Sequence, residues 1–210
     1  MKALDLAQIK FDEKGLVPVV VQDSVSAEVL MVAWANAEAL EATARSGELT
    51  LWSRSRAELW RKGATSGNIM RVAELCVDCD GDTILALVEP AGPACHTGER
   101  TCFYRTLWGE ENTTEASFLG RLWHYLNKRK NDDPAESYTA RLLSEGISRV
   151  AQKVGEEGVE TALAAATNDR DGFRYEAADL LYHLLVACVA TGVSYPDILK
   201  ELSKRHKTAQ

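Results

Sequence analysis

No stretch of this chain approaches the ~18 consecutive apolar residues that a membrane-spanning helix requires. The segment from Met1 to Asp12 alternates charged and apolar side chains, without the apolar run of a secretion signal. Positive charge is scarce as well. Lys and Arg number 24 against 31 Asp and Glu, a formal net charge of −7, which argues against sequence-independent binding to nucleic-acid backbones. A small anion stays within reach if bound cations supply the missing charge. A disulfide framework is also missing. The five cysteines are an odd number, and in a reducing compartment they read as ligands or free thiols. Internal repeats and low-complexity tracts are absent. A cytoplasmic protein is expected, with no membrane and no nucleic-acid partner.

What is present is the composition of a packed globule, 46% hydrophobic and 26% charged over 210 residues, enough for one large domain or two small ones. The texture favours two. Residues 16–21 and 83–88 are short apolar runs that read as strands, and 49–53 alternates weakly. Asn36 to Ser46 reads as a helix with Asn36 as its N-cap and Gly47 as its stop. After Tyr104 only helical periods appear. They cover Ser117 to Lys130; Ser137 to Thr167, with a break near Glu145-Gly146; a helix capped by Asp171 and running to about Thr191; and a last short one opened by Ser194 and Pro196. The expected fold is an N-terminal α+β domain with a strand-rich metal-binding core over 1–108, a linker at 109–115, and a C-terminal all-α helical bundle over 116–210.

Three clusters in the first half carry chemistry. In an extended chain Asp78, Asp80 and Asp82 share one face and Cys79 takes the other. Carboxylates so close repel one another unless a hard cation sits among them, and oxygen ligands favour Mg²⁺ or Ca²⁺. An EF-hand does not fit. Glu89 falls at loop position 12, but Thr83 stands where the loop needs glycine and a strand follows. A solvated acidic turn is the plain alternative. Cys79, Cys95 and Cys102 offer three thiolates with an open fourth position, as in a catalytic zinc site; buried inert thiols are the alternative. Cys76-x-x-Cys79 has no second pair to complete a structural finger. His96, beside Cys95, is a further ligand or proton carrier. Finally Ser53-Arg-Ser-Arg56, Trp60-Arg-Lys-Gly63 and Ser66-Gly-Asn68 suit phosphate recognition by guanidinium forks and backbone amides, or form a solvated basic loop.

Taken in order, Gln22-Asp23, Leu30-Met-Val-Ala-Trp-Ala-Asn36, Ser53-Arg-Ser-Arg56, Trp60-Arg-Lys-Gly-Ala-Thr-Ser-Gly-Asn68, Asp78-Cys-Asp-Gly-Asp82, Ala94-Cys-His-Thr-Gly98 and Cys102-Phe-Tyr104 resemble phosphoribosyl-AMP cyclohydrolase. Ala64 departs from the glutamate found in many members and touches no proposed ligand. The resemblance implies zinc on Cys79, Cys95 and Cys102, shared across a homodimer interface, and Mg²⁺ on Asp78, Asp80 and Asp82. It implies metal-activated water attacking C6 of an N1-ribosylated adenine, so that the N1–C6 bond breaks. His96 is then the expected proton shuttle. Arg54, Arg56, Lys62, Ser66 and Asn68 are the expected substrate contacts.

In the helical half, Glu156 and Glu160, Glu157 and Glu160, and Glu176 and Asp179 are spaced to share helix faces. Side-by-side helices would bring these acids together where divalent cations bind; two acidic solvent-facing helices are the alternative. Glu176 and Asp179 adjoin the apolar run Ala177 to Val189, where acids need a counter-ion. Gly155 and Gly158 suggest close approach of a ligand or helix, and His183, on the face of Asp179, reads as a core histidine or as a support behind the metal ligands. Ser137-Tyr138, Lys153-Val-Gly-Glu-Glu-Gly-Val-Glu160 and Tyr175-Glu-Ala-Ala-Asp-Leu-Leu-Tyr-His183 resemble phosphoribosyl-ATP pyrophosphohydrolase, an all-α family related to the helical nucleotide pyrophosphatases. Gly158 replaces the usual alanine. The resemblance implies Mg²⁺ held by acids from Glu156, Glu157, Glu160, Glu176 and Asp179, with Lys153, Glu157 and Glu160 serving catalysis. The expected whole is a bifunctional hydrolase of histidine biosynthesis acting on phosphoribosyl nucleotides as a homodimer. The rivals are a non-catalytic metal- and nucleotide-binding regulator and a protein with one active half.

Overall fold

Val17–Asp23 (β1) alternates buried and half-buried residues along its length, the period of a strand lying on a core. In the computed structural model, which describes residues 4–108 and 117–206, it sits near the middle of a six-stranded sheet. The other strands are Val29–Ala35 (β2), Thr50–Ser53 (β3), Glu58–Arg61 (β4), Met70–Val77 (β5) and Ile84–Pro90 (β6), in the order β4-β3-β2-β1-β6-β5. β1 pairs antiparallel with β2 and parallel with β6. Val17, Val19, Val21, Leu30, Leu51, Ile84, Ala86 and Val88 fill the inner face. The helix α1, Ala37–Ser46, lies between β2 and β3. Asn36 accepts from the Ala39 amide and Gly47 closes it in the left-handed conformation, as expected. The sheet curls: the Leu49 amide donates to Met70 O, and Glu48 bridges to Arg71, so β5 meets the segment leading into β3.

The chain divides into two units, Met1–Ser117 and Phe118–Gln210. The second is helical, with α2 Phe118–Arg129, α3 Tyr138–Ser144, α4 Ile147–Ala166, α5 Arg170–Thr191 and α6 Tyr195–His206. The break between α3 and α4 falls at Glu145-Gly146, where Gly146 has φ +92°. Leu126, Leu142, Val150, Leu185 and Val186 form its core. The expected linker, 109–115, lies outside the described residues.

Three local expectations change. The cap of α5 is Asp169, whose side chain accepts from the Gly172 amide; Asp171 is in the first turn, paired with Arg174. A Cβ at Gly155 would meet nothing within 4 Å, and one at Gly158 only Leu180 at 4.0 Å, so neither glycine is required for close approach of a helix within this chain. The apolar run Ala177 to Val189 is only partly core, because Leu181 and Leu184 are exposed.

Candidate active sites

The acidic triad sits at the tip of the β5–β6 hairpin. The chain there is a turn and not an extended segment. Asp78 Oδ1 accepts from the amides of Gly81, Asp82 and Thr83 at 3.0, 3.0 and 3.2 Å, and this folds Asp80 and Asp82 back toward it. Carboxylate oxygens of Asp78, Asp80 and Asp82 lie within 4.8 Å of one another, all exposed. Three hard oxygen donors at that separation fit a Mg²⁺-type cation. Desolvation pushes the Asp78 carboxyl up, but the amides of Thr83, Gly81 and Asp82 outweigh it and hold Asp78 below the usual range. Gly81, at φ +84°, lets the tip approach Gln8, whose carbonyl would lie 2.6 Å from a Cβ. The Lys10 amide donates to Gly81 O at 2.7 Å and pins the tip.

The thiols come from the loop after β6. Arg100 fastens this loop to the β1–β2 turn: its guanidinium donates to Asp23 Oδ2 at 2.7 Å and to Glu28. The Thr101 hydroxyl and the Cys102 amide then bond to β2 carbonyls, the latter to Leu30 O at 2.7 Å. Cys95 and Cys102 are thereby brought into contact. The Thr97 hydroxyl donates to Cys95 Sγ at 3.1 Å, and this bond foremost lowers the Cys95 pKa. Cys102 is raised, by desolvation first and then by the negative Cys95 beside it. Lys62 donates to Ala94 O at 2.7 Å and adds positive charge next to Cys102. Its loop closes on itself at Gly63, where a Cβ would clash with the backbone of Asn68 at 2.3 Å, and meets the segment that leads to the thiols at Gly92, where a Cβ would lie 2.3 Å from Asn68 Oδ1. Lys62, Ser66 and Asn68 therefore lie in one loop packed against the thiol segment. His96 is exposed, its Nδ1 4.0 Å from Cys95 Sγ. Cys79 is exposed and makes no ligand group with Cys95 and Cys102 among the described residues of one chain. Arg54 and Arg56 stand on the turn of the β3–β4 hairpin, which sequence reasoning treated as a loop. Sequence reasoning also passed over Arg100, whose signal was weak: its acid partners Asp23 and Glu28 are more than 70 positions away.

In the second unit, oxygens of Glu157, Glu176 and Asp179 lie within 4.8 Å of one another. The buried acid is Glu157, on α4, 4% exposed; Glu176 is half-buried and Asp179 exposed. Glu157 has its counter-ion in Lys153, 2.6 Å away, and a hydrogen bond from that ammonium is the chief reason its pKa is lowered. Glu176 is raised, by desolvation and then by the charges of Glu160, Glu157 and Asp179. A cation would relieve that repulsion, so the donor set fits a divalent metal. Glu160 is exposed, and its charge is the strongest of those that raise Glu176 by repulsion. Glu156 does not join the group; it accepts from Gln152 and Lys153. His183 is buried as expected. Its Nδ1 lies 2.9 Å from Asp179 O, which places a proton on that nitrogen, and its Nε2 lies 3.1 Å from the Tyr138 hydroxyl.

Both units match known families. Residues 31–104 match the family model for phosphoribosyl-AMP cyclohydrolase and residues 119–206 that for phosphoribosyl-ATP pyrophosphohydrolase. The chain is 48% identical over 205 residues to the histidine biosynthesis bifunctional protein HisIE of Thermus thermophilus, covering 97% of this chain and 95% of that protein. It is 48% identical to the HisIE protein of Escherichia coli, over 92% of each chain, and 46% identical to that of Campylobacter jejuni, over 92% and 91%. With both domains matched in order and near half of all positions identical over almost the whole length, the chain belongs to the family of bifunctional histidine biosynthesis enzymes HisIE, a cyclohydrolase domain followed by a pyrophosphohydrolase domain.

Proposed function

We propose that the two domains, 1–108 and 116–210 joined through 109–115, act in the order opposite to their order in the chain. The C-terminal domain hydrolyses phosphoribosyl-ATP to phosphoribosyl-AMP and pyrophosphate. The N-terminal domain then opens the adenine ring of that product between N1 and C6. The observation that carries this reading is that each family match contains its own cluster of cation-type donors, Asp78, Asp80, Asp82 with Cys95 and Cys102 in one, Glu157, Glu176 and Asp179 in the other.

Zinc is assigned to Cys79, Cys95 and Cys102, and Mg²⁺ to both carboxylate groups, with Glu160 beside the second. Bound zinc supplies a water that ionises near neutral pH, and Mg²⁺ offsets phosphate charge. The chain's own residues do the rest. Thr97 keeps Cys95 ready to ionise, and Arg100 and Lys62 fix the loop that presents it. His96, exposed beside Cys95, carries the proton to N1 as the ring opens. Arg54, Arg56, Lys62, Ser66 and Asn68 hold the substrate phosphates. In the C-terminal domain Glu160 takes a proton from the attacking water. Lys153 spends two of its three N–H donors on Glu156 and Glu157 and keeps one for a phosphate oxygen.

A homodimer is supported by the isolation of Cys79 from Cys95 and Cys102 in one chain, since a second copy could complete the trio. The exposed Val159 and Leu163 on α4 and Leu181 and Leu184 on α5 point the same way. A cytoplasmic setting accords with a biosynthetic role. Among the described residues no single helix is long and apolar enough to cross a membrane.

The test is a pair of variants supplied with each nucleotide in turn. Cys95→Ala should lose zinc and ring opening yet still convert phosphoribosyl-ATP, so that phosphoribosyl-AMP accumulates. Glu160→Ala should leave phosphoribosyl-ATP intact yet still open the ring of added phosphoribosyl-AMP. Loss of both activities in either variant would overturn the two-site reading.

A further inference from the structure

The β2–β3–β4 ribbon carries an open cavity of about 510 Å³ lined by Trp34, Trp52 and Trp60 and by Ser53, Arg54, Ser55 and Arg56. Three of the chain's five tryptophans meet here. Trp34 and Trp52 are direct partners across β2 and β3, so the platform is built into the sheet. Arg54 stacks on Trp34 with its guanidinium carbon 4.5 Å from the ring centroid. The two arginines differ. Arg56 shares its charge between Glu58, 2.9 Å away, and any phosphate it meets, while Arg54 makes no ion pair among the described residues. In a chain of net charge −7, a guanidinium resting over an indole without a carboxylate partner is a cation available to an outside anion.

The cavity shares its elements with the thiol pair. Leu30, whose carbonyl accepts the Cys102 amide, is four residues before Trp34 on β2, a span of ~13 Å at the rise of a strand. Trp60 is two residues before Lys62, which bonds to the Ala94 carbonyl. A ligand with its reactive ring at the thiols would therefore reach the cavity with a sugar-phosphate arm.

We propose that this cavity seats one ribosyl 5′-phosphate arm of the N-terminal domain's substrate, with Arg54 binding the phosphate and Trp34 acting as the positioning residue that holds Arg54. The inference rests on the ring-opening reading above, in which the substrate carries two such arms. The second falls to the loop from Lys62 to Asn68, against the thiol segment. Trp52 and Trp60 cover the sugar with apolar wall while the guanidinium fork takes the phosphate oxygens.

Two measurements on the metal-loaded full-length enzyme test this. Ribose 5-phosphate should quench tryptophan fluorescence saturably, and ribose should not; Arg54→Ala should abolish the quench. In turnover of phosphoribosyl-AMP, Arg54→Ala and Trp34→Ala should each raise KM at least about tenfold, the cost of one charge-assisted contact, with kcat within about twofold. Arg54→Lys, which keeps charge but loses the planar stack, should fall between. Trp34→Phe should recover most of the loss, and Arg45→Ala, a surface control, should match wild type. Unchanged KM in the Arg54 and Trp34 variants of an active enzyme would overturn the proposal and leave the ring-opening reading standing. If wild type opened no ring, that reading would fail, and the fluorescence titration alone would decide the cavity's role. Absence of a ribose 5-phosphate quench, including the case where a second copy of the chain covers the cavity and Trp34→Ala shifts the oligomeric state, overturns it.

Discussion

At Cys95 a single hydroxyl does what the proposed zinc site would need. A thiol must lose its proton to bind, and the Thr97 hydroxyl stabilises the thiolate by donating to it at 3.1 Å. Thr97→Val should raise the Cys95 pKa in metal-free protein, read as a shift to higher pH in ultraviolet thiolate absorbance, and weaken zinc affinity; Thr97→Ser should preserve both. No shift on Thr97→Val would remove the hydroxyl from the account. Lys153 serves Glu157 in the same way. The folded-state pKa of Glu157 lies below its ordinary value. The pair's stabilisation is therefore fully present above that ordinary value, about 4.5, and is lost as pH falls through the lowered one. Lys153→Met leaves a buried acid without its cation. Its cost at neutral pH should be about 2 kcal/mol, below that of a fully buried pair because the lysine keeps 21% of its side chain exposed. In acid titrations followed by helical circular dichroism, the unfolding midpoint of the metal-free variant should move to higher pH.

Among elements, α4 and α5 are open to improvement and damage at named positions. Gly158→Ala in α4 meets only Leu180 at an ordinary 4.0 Å and gains helix propensity, so stability should rise by ~0.5–1 kcal/mol. Asp169→Ala removes the cap of α5 and should cost about 1 kcal/mol. Urea melts monitored at the helical band distinguish the two signs; a destabilised Gly158→Ala would mean that the α4 surface is more crowded than one chain shows. The elements also explain which parts of the fold could be read in advance. Asn36, Gly47 and the Glu145-Gly146 break announced their helices because capping chemistry is local. β5 was passed over: its ladder to β6 shifts register between Val72 and Glu74, and its exposure pattern loses the two-residue alternation. β2 was passed over for a different reason, as its apolar run Val29–Ala35 does not alternate and by pattern alone resembles a buried helix as much as a strand.

For the whole molecule, two chemistries on one chain should respond separately to cations. After exhaustive chelation both activities should stop. Mg²⁺ alone should restore pyrophosphate release from phosphoribosyl-ATP, while ring opening should need zinc as well; the assay is product formation from each nucleotide. Full ring opening in verified metal-free protein would contradict the assignment of zinc to Cys79, Cys95 and Cys102.

Residue types and local spacing determined a great deal of this protein: a strand-rich half and a helical half, the order of the motifs, and the acids that share a helix face. They did so because caps, periodicity and neighbouring ligands act over a few residues. Tertiary structure alone decided which donors meet. It joined Cys95 to Cys102 and left Cys79 apart, chose Glu157 over Glu156, closed Asp78, Asp80 and Asp82 around a turn, and laid Arg54 on Trp34. Those pairings depend on which strands and helices pack together, and that is settled by burial of side chains far apart in the chain.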